Sequence, residues 1–357
     1  MSPTAAILAN GLMQTPFAKT TYGMVRGPSR YRILGVIDPQ FAGRDAGELL
    51  DGTNRQIPVF ASLSALIEAT GDPPDVCVVG VATVGGVLPP AIRGALLDAA
   101  SRGMTLVNGL HQLLTEDREL AGMVRSSGGE IIDIRRPKPI DELRFWSGEV
   151  LSIETPRVAV LGTDCAVGKR TTAALIWQEL RARGFRAELI YTGQTGWLQG
   201  LRYGFIFDAT PNDFVCGELE RAILACHRET DPDIILLEGQ SGLRNPSGPC
   251  GAELILSGAS RGVVLQHAPG RQFYEDFEAV HCEIPPVREE VEMVRLMGSE
   301  VWALTLHDEN LDHEALARAK GALQDELGIP VVHPLTDGVD LVVDEIESRI
   351  APTEAGS

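Results

Sequence analysis

The sequence is poor in aromatic residues and in basic residues. Only 5% of its 357 residues are aromatic, and 31 Lys and Arg stand against 49 Asp and Glu, which gives a formal net charge of −18. The scarcity of aromatics, together with 38 glycines, favours short buried strands with glycine-rich turns over an all-β sandwich. The negative electrostatic field of such a chain repels phosphate backbones and anionic membranes. We therefore expect neither nucleic acid nor a membrane as a partner.

Several other signals are missing. The six cysteines include no C-x-x-C pair, so their spacing predicts neither a zinc site nor a disulfide framework. The longest apolar stretch, residues 76–92, is too short and too interrupted by Gly and Pro to span a bilayer. The first 22 residues lack the pattern of a signal peptide. We expect a cytoplasmic protein without a bound metal.

Strand and helix patterns alternate through both halves of the chain, which is typical of parallel sheets with helices on both faces. The length suggests two domains, and residues 135–139, rich in proline and basic side chains, indicate a boundary. We predict an α/β fold with four parts: an N-terminal Rossmann-like domain (1–138), a linker segment (139–156), a C-terminal P-loop NTPase-like domain with a parallel sheet (157–350) and a frayed tail (351–357). No G-x-G-x-x-G follows the first strand, so a dinucleotide site is weakly supported.

The segment at residues 162–172 has the pattern of a phosphate-binding loop between a strand and a helix. In such a loop, successive backbone N–H groups turn inward, the helix N-terminus adds its own, and a lysine supplies a positive charge. We predict that it binds the phosphates of a cofactor; a merely structural glycine loop is the alternative. The residues are Gly162, Thr163, Asp164, Cys165, Ala166, Val167, Gly168, Lys169, Arg170, Thr171 and Thr172.

One residue of this loop departs from the usual pattern. Arg170 stands where a Ser or Thr normally holds Mg²⁺ for phosphoryl transfer. A guanidinium supplies a permanent charge that can neutralise a phosphate without a metal. Our hypothesis is that the loop binds the phosphate group of a ligand and does not catalyse its hydrolysis. In the alternative, Arg170 points to solvent and Thr171 takes the metal role.

Polar residues follow several predicted strands, and the carboxyl ends of parallel strands form the edge where ligands bind. Glu238 and His267 are our candidates for acid–base catalysis. Glu238 could instead bind Mg²⁺ or cap the next turn, and His267 could be structural. His307 and Asp308 follow a later strand, without an assigned role.

A second group of candidates could bind the substrate. Amide and hydroxyl groups in glycine-rich loops can line a polar pocket, and a planar guanidinium suits a carboxylate. The alternatives are ordinary turns and solvated arginines. The candidates are Gln194, Thr195, Gln240, Arg202, Arg244 and Arg271.

The phosphate loop resembles that of dethiobiotin synthetase, with Cys165 in place of the second Thr and Arg170 inserted before Thr171. The chain also has Gly-Val-Ile-Asp-Pro at residues 35–39, Tyr-Thr-Gly-Gln-Thr-Gly at 191–196 and Glu-Gly-Gln at 238–240. With these motifs it resembles, over nearly its full length, the DgcN-type family of D-glutamate N-acetyltransferases, long labelled a domain of unknown function.

This resemblance implies an N-acetyltransferase that moves acetyl from acetyl-CoA to the amine of D-glutamate in D-amino-acid catabolism. The loop would bind the CoA phosphates, and Glu238 or His267 would accept the proton of the amine. Gln240 or residues 193–196 would stabilise the oxyanion. Two rival functions remain: a Mg-ATP-dependent ligase or kinase of the dethiobiotin synthetase type, and a non-catalytic nucleotide-binding regulator. We also expect a homo-oligomer.

Overall fold

The structure, a computed structural model, describes residues 2–351 and divides the chain into two compact units. The first unit runs to Lys138 and also includes Gly193–Arg202 and Ile206–Thr210. The second comprises Pro139–Thr192, Tyr203–Phe205 and the chain from Pro211 on. Apart from Ala351, the predicted tail lies outside the described residues.

The first unit is built on a six-stranded parallel sheet with the order β3-β2-β1-β4-β5-β6. This is the strand order of a dinucleotide-binding Rossmann sheet, so the predicted Rossmann-like fold is confirmed. The two central strands are apolar and buried except at Thr4, as expected of strands covered on both faces. The strands are β1 (Thr4–Leu8), β2 (Arg32–Ile37), β3 (Val59–Phe60), β4 (Val76–Val79), β5 (Thr105–Asn108) and β6 (Ile131–Asp133).

Five helices connect these strands. Their starts follow local chemistry: the Asp117 carboxylate accepts hydrogen bonds from the backbone N–H of Glu119 and Leu120 at 3.1 and 3.2 Å and so caps the last of them. The same carboxylate binds Arg93 of the preceding helix at 2.7 Å, which joins the two helices. The helices are α1 (Lys19–Arg26), α2 (Ala46–Asp51), α3 (Leu63–Thr70), α4 (Pro90–Ser101) and α5 (Arg118–Ser127).

The second unit has its own six-stranded parallel sheet, with the order β12-β11-β10-β7-β9-β8. Its strands are β7 (Arg157–Gly162), β8 (Ala187–Ile190), β9 (Ile234–Glu238), β10 (Gly262–His267), β11 (Glu300–Leu306) and β12 (Val331–Val332). The strand β7, which leads into the predicted phosphate loop, lies between β9 and β10. The carboxyl ends of these two neighbours carry Glu238 and His267, so the topology brings both candidates beside the loop.

The remaining helices are α6 (Lys169–Ala182), α7 (Gln194–Leu198), α8 (Asn212–Thr230), α9 (Ala252–Leu256), α10 (Val287–Leu296), α11 (His313–Leu327) and α12 (Asp340–Ile350). All except α7 belong to the second unit. Within residues 2–351, every helix is too short or too polar to cross a lipid bilayer.

One local expectation was wrong. The glycine-rich segment after β8, expected to be a loop, forms the short helix α7 because Leu198 is buried in a core of the first unit and Trp197 packs against that core. Asp213 lies inside the first turn of α8, which begins at Asn212 after Pro211. Its carboxylate still lies where the helix dipole favours a negative charge.

Candidate phosphate-binding site

The loop between β7 and α6 has the backbone conformation of a tight turn. Ala166 and Gly168 adopt positive φ angles of 56° and 101°, and only glycine adopts the second without strain. A side chain on Gly162 would also collide, because its Cβ would lie 2.9 Å from Lys169 Cδ. The glycines therefore let the loop fold closely around the stem of Lys169.

Lys169, the first residue of α6, is buried beneath this loop. Its Nζ donates to the backbone carbonyl of Asp164 at 2.5 Å and to that of Ser241 at 2.6 Å. Burial lowers the pKa of the Lys169 ammonium to about 8. The side chain thus carries a desolvated positive charge in a loop of the type that binds phosphates.

The Asp164 carboxylate organises the loop. Its Oδ1 accepts from Cys165 N at 2.6 Å and from Asn245 Nδ2 at 2.7 Å, and its Oδ2 accepts from Arg271 Nη1 at 2.7 Å and from Glu275 N at 2.8 Å. Asp164 is fully buried, so these four donors replace water around its charge. Its observed role is to fix the loop in place.

Arg170, the next residue of α6, binds Glu238 at the end of β9. Its Nη2 lies 2.6 Å from both carboxylate oxygens, in an ion pair whose acidic side chain is 6% exposed and whose basic side chain is 21% exposed. The backbone N–H of Thr192 donates to Glu238 at 3.2 Å, and the Gln240 amide donates to the Thr192 hydroxyl at 2.9 Å. Arg170 therefore binds Glu238 and is not turned to solvent, as the alternative had it.

His267 lies on the other side of β7, at the end of β10. Its Nδ1 is 3.1 Å from the Thr163 hydroxyl. Burial lowers the pKa of this imidazole to about 4, so the ring is neutral near pH 7 and is a weak proton acceptor. This geometry connects His267 to the start of the phosphate loop.

The buried amide of Gln266 ties the helix side of the loop to the sheet. Its Oε1 accepts from the hydroxyls of Thr172 and Thr305 at 2.5 and 2.6 Å, and its backbone oxygen accepts from Thr163 N at 3.0 Å. The Thr172 hydroxyl, predicted to meet phosphate, is therefore used inside the fold.

Among residues 2–351, His, Cys, Asp and Glu side chains form no group of three suited to a metal ion. The residues that a P-loop enzyme would use for Mg²⁺ do not fit one here. An arginine takes the hydroxyl position of the pattern, and the adjacent carboxylate, Glu238, is bound to that arginine.

Asp38, at the Rossmann-like edge of the first unit, is not free to bind a nucleotide ribose. Asp38 follows β2, where such enzymes carry that residue. Here it is fully buried, and its oxygens accept from the backbone N–H groups of Gly11 at 2.8 Å, Met13 at 3.1 Å and Gln40 at 3.0 Å. This carboxylate holds the turn after β1.

Comparison with known protein families agrees with both units. A family described as "Domain of unknown function (DUF1611_C) P-loop domain" matches residues 144–343, and "Domain of unknown function (DUF1611_N) Rossmann-like domain" matches residues 39–137. The chain belongs to the DUF1611 family.

Two curated relatives of this DUF1611 protein carry the name D-glutamate N-acetyltransferase. The one from Pseudoalteromonas sp is 29% identical over 74% of this chain and 79% of its own length, and the one from Tritonibacter scottomollicae is 28% identical over 75% and 80%. A crystal structure of a DUF1611 family protein from Anabaena variabilis superposes with a TM-score of 0.87 at 29% identity, covering 97% of this chain and 99% of that one.

The second unit of this DUF1611 protein brings the phosphate loop, Glu238, Gln240 and His267 to one sheet edge. Arg271 is buried in the Asp164 network, and it also binds Glu275 and Glu309. Arg244 lies in the loop after β9 and pairs with Glu289 and Glu290 of α10 at 2.6 and 3.0 Å. The other predicted substrate residues, Gln194, Thr195 and Arg202, belong to the first unit.

Three residues at this edge had no assigned role in the sequence. Ser241 and Asn245 sit in the loop after β9 and hold Lys169 and Asp164. His307 follows β11, and a Cβ placed on Gly168 would lie 3.7 Å from its ring. Its Nδ1 accepts from Glu309 N at 3.3 Å, which leaves the proton of the neutral ring on Nε2 as a donor. Its position after a strand indicated this residue in the sequence, but no role followed from that position alone.

Proposed function

We propose that this protein is an acyltransferase that moves acetyl from acetyl-CoA to the amine of D-glutamate. The names of two curated relatives support the reaction. The observation that carries our proposal for the site is the ion pair between Arg170 and Glu238, which puts a fixed cation beside the phosphate loop. Such a loop suits a ligand whose phosphates are gripped and left intact.

In this proposal the loop binds the phosphates of CoA. The first turn of α6 supplies N–H groups and the positive end of the helix dipole, Lys169 supplies a desolvated charge, and Arg170 supplies a permanent one. Below pH about 8 the Lys169 ammonium is protonated and both cations are available. The loop itself takes no part in the bonds that form and break.

The reaction needs a proton acceptor, because the amine of D-glutamate is protonated near neutral pH. The free amine attacks the thioester carbonyl, the C–N bond forms and the C–S bond breaks, and the leaving CoA thiolate takes the second proton that the attacking nitrogen loses. We assign the proton acceptor to Glu238. Arg170 occupies both oxygens of this carboxylate, and a phosphate that draws Arg170 away would free them to accept the proton.

The other predicted residues have smaller parts. His267, with a pKa of about 4, is a weaker acceptor near pH 7 and positions Thr163. The amide of Gln240, beside Thr192, is our proposed donor to the oxyanion. The roles of Gln194, Thr195, Arg202, Arg244 and Arg271 toward the two substrate carboxylates stay predictions.

The rival ligase or kinase function rests on Lys169, Thr171 and Glu238. It requires a metal at a position where the structure has an arginine bound to Glu238. It also predicts different products, because ATP is consumed and phosphate is released.

The test measures free thiol released from acetyl-CoA with a panel of D- and L-amino acids, with and without Mg-ATP. We expect release that needs D-glutamate, is independent of Mg-ATP and is lost in Lys169→Met. The matched control is Lys19→Met, which removes an exposed lysine. ATP turnover without thiol release would favour the ligase or kinase, and tight nucleotide binding with no turnover would favour the regulator.

A further inference from the structure

One histidine at the edge of the second sheet has no part in the reaction proposed above. His307 directly follows β11, and its backbone N–H donates to the carbonyl oxygen of His267, at the end of β10, at 2.8 Å. This bond extends the pairing of the two strands by one residue. His307 therefore lies at the same sheet edge as the phosphate loop, on the side opposite to Glu238.

The imidazole ring of His307 reaches the phosphate loop. A Cβ placed on Gly168 would lie 3.7 Å from His307 Cδ2 and 3.6 Å from Gln266 Nε2. Gly168 directly precedes α6, so the ring lies beside the N-terminus of that helix. The first N–H groups of a helix have no acceptor within the helix, and phosphate loops use them to bind anions. His307 is thus next to the groups that we expect to bind the phosphate.

The hydrogen bond at Nδ1 fixes which nitrogen of this ring carries the proton. Nδ1 accepts from the backbone N–H of Glu309 at 3.3 Å, so the neutral ring carries its proton on Nε2. Cδ2, the atom of His307 that lies nearest to the Cβ position on Gly168, is bonded to Nε2. The edge of the ring that carries the donor is therefore the edge next to the loop.

The Nε2 donor of His307 is available to a ligand. Within residues 2–351 no group accepts a hydrogen bond from it, and the side chain is 34% exposed. Burial lowers the pKa of the imidazole from its ordinary value of 6.5, so the ring is neutral near pH 7. The neighbouring charges act in both directions on this pKa, since Asp308 and Glu309 raise it and Arg271 and His333 lower it.

A donor at this position complements the groups on the other side of the loop. The oxygens of a phosphate are strong acceptors, and they accept hydrogen bonds from several directions. On the β9 side, the charged groups are Lys169 and Arg170, the first two residues of α6. On the β10 side, the Nδ1 of His267 is already 3.1 Å from the Thr163 hydroxyl. His307 adds an uncharged donor there, which buries no further charge.

We propose that His307 donates a hydrogen bond from Nε2 to the phosphate that the loop binds. This role rests on the phosphate binding proposed above and adds a donor on the β11 side of the same site. His307 acts as a binding residue, because it gives and takes no proton in the acetyl transfer.

Calorimetry with adenosine 3′,5′-diphosphate near pH 7 tests this role in the full chain. We expect His307→Leu to weaken binding about tenfold or more, because a hydrogen bond to a charged group is lost. His307→Gln keeps an N–H group at the same number of bonds from the backbone, so its affinity should stay within about threefold of the wild type. The matched control is His313→Leu, which removes an exposed histidine at the start of α11 and should change nothing.

An NMR measurement on the wild type makes the test independent of how the variants fold. Long-range proton–nitrogen spectra should show the proton of His307 on Nε2, and this signal should move when the same probe is added while that of His313 stays. If the wild type binds the probe and His307→Leu binds it equally well, the role of His307 is overturned and the phosphate loop stands. Equal losses in folded His307→Leu and His307→Gln, or a His307 signal that the probe leaves unchanged, also overturn it. A wild type that does not bind the probe overturns the phosphate loop itself and this role with it.

Discussion

Replacing Arg170 by alanine would remove the only guanidinium that the structure shows on both oxygens of Glu238. The carboxylate would remain at the end of β9, 6% exposed, with the Thr192 N–H at 3.2 Å as its observed donor. We expect this change to destabilise the second unit. The cause is the unpaired buried charge and not the loss of packing by Arg170.

The size of the effect follows from the burial of the two partners. Breaking a buried ion pair by removing one partner costs about 3–5 kcal/mol. Because the Arg170 side chain is 21% exposed, we expect the lower part of this range, about 3 kcal/mol. For a unit of this size that lowers the melting temperature by roughly 6–12 °C. Replacing Glu238 by glutamine should be milder, because Arg170 can turn to water.

The assay is a double-mutant cycle on thermal and urea unfolding. It compares the wild type with Arg170→Ala, Glu238→Gln and the double variant. The double variant should be more stable than Arg170→Ala alone, since it no longer buries an unpaired charge. Arg186→Ala, which removes an exposed arginine paired with Asp233, is the control and should show little change.

The reasoning fails under a specific result. If the two single effects add in the double variant, the residues do not interact and the ion pair does not exist in solution. A loss of stability in Arg170→Ala no greater than that in the control would lead to the same conclusion.

Three further predictions concern the same unit and its neighbour. Since burial holds the pKa of Lys169 at about 8, the affinity of the wild type for adenosine 3′,5′-diphosphate should fall as the pH rises through that value. In Lys169→Met the affinity should stay level over the same pH range. Calorimetry measures both affinities, and an equal fall in the two proteins would contradict the prediction. The phosphates of that probe ionise well below this pH, with a second pKa of about 6. Gly242→Ala places a Cβ 2.6 Å from the carbonyl oxygen of Thr163 and should lower the free energy of unfolding by about 1–3 kcal/mol. Gly122→Ala in α5, with open space around the new Cβ, should raise it by about 0.5–1 kcal/mol. Urea unfolding compares the two variants, and equal effects would refute the packing argument. His267 should titrate near pH 4 in an NMR experiment, and its signal should disappear in His267→Asn. Titration near the ordinary histidine pKa of 6.5 would show that the ring is not desolvated.

Most of the fold could be predicted from the sequence. The alternation of short β-branched strands with helices predicted parallel sheets, and the predicted phosphate loop lies between β7 and α6 as expected. The order of the strands was not predictable from alternation, because it depends on which strands pair across long stretches of chain. Helix α7 was missed because glycine lowers helix propensity, while the burial of Leu198, a long-range effect, decides the outcome.

The candidate site was predicted in part. The loop residues, Glu238 and His267 were expected at one sheet edge, and the topology places them there. The partner of Arg170 was not predictable, because Glu238 is distant in sequence and the pairing exists only in the folded sheet. The same holds for Arg271: its burial against Asp164 follows from a strand order that no local pattern reveals.

The four donors on Asp164 also bear on how this unit folds. The carboxylate gathers backbone or side-chain groups from residues 165, 245, 271 and 275, so three separated regions must dock before the loop has its final shape. Contacts so distant in the chain form late, since closing long loops is entropically unfavourable. The phosphate loop therefore takes its final shape only when these regions have docked, and a ligand that binds the docked loop would stabilise the whole unit against local opening. Hydrogen exchange at the amides of Cys165 and Glu275 should slow together when such a ligand binds.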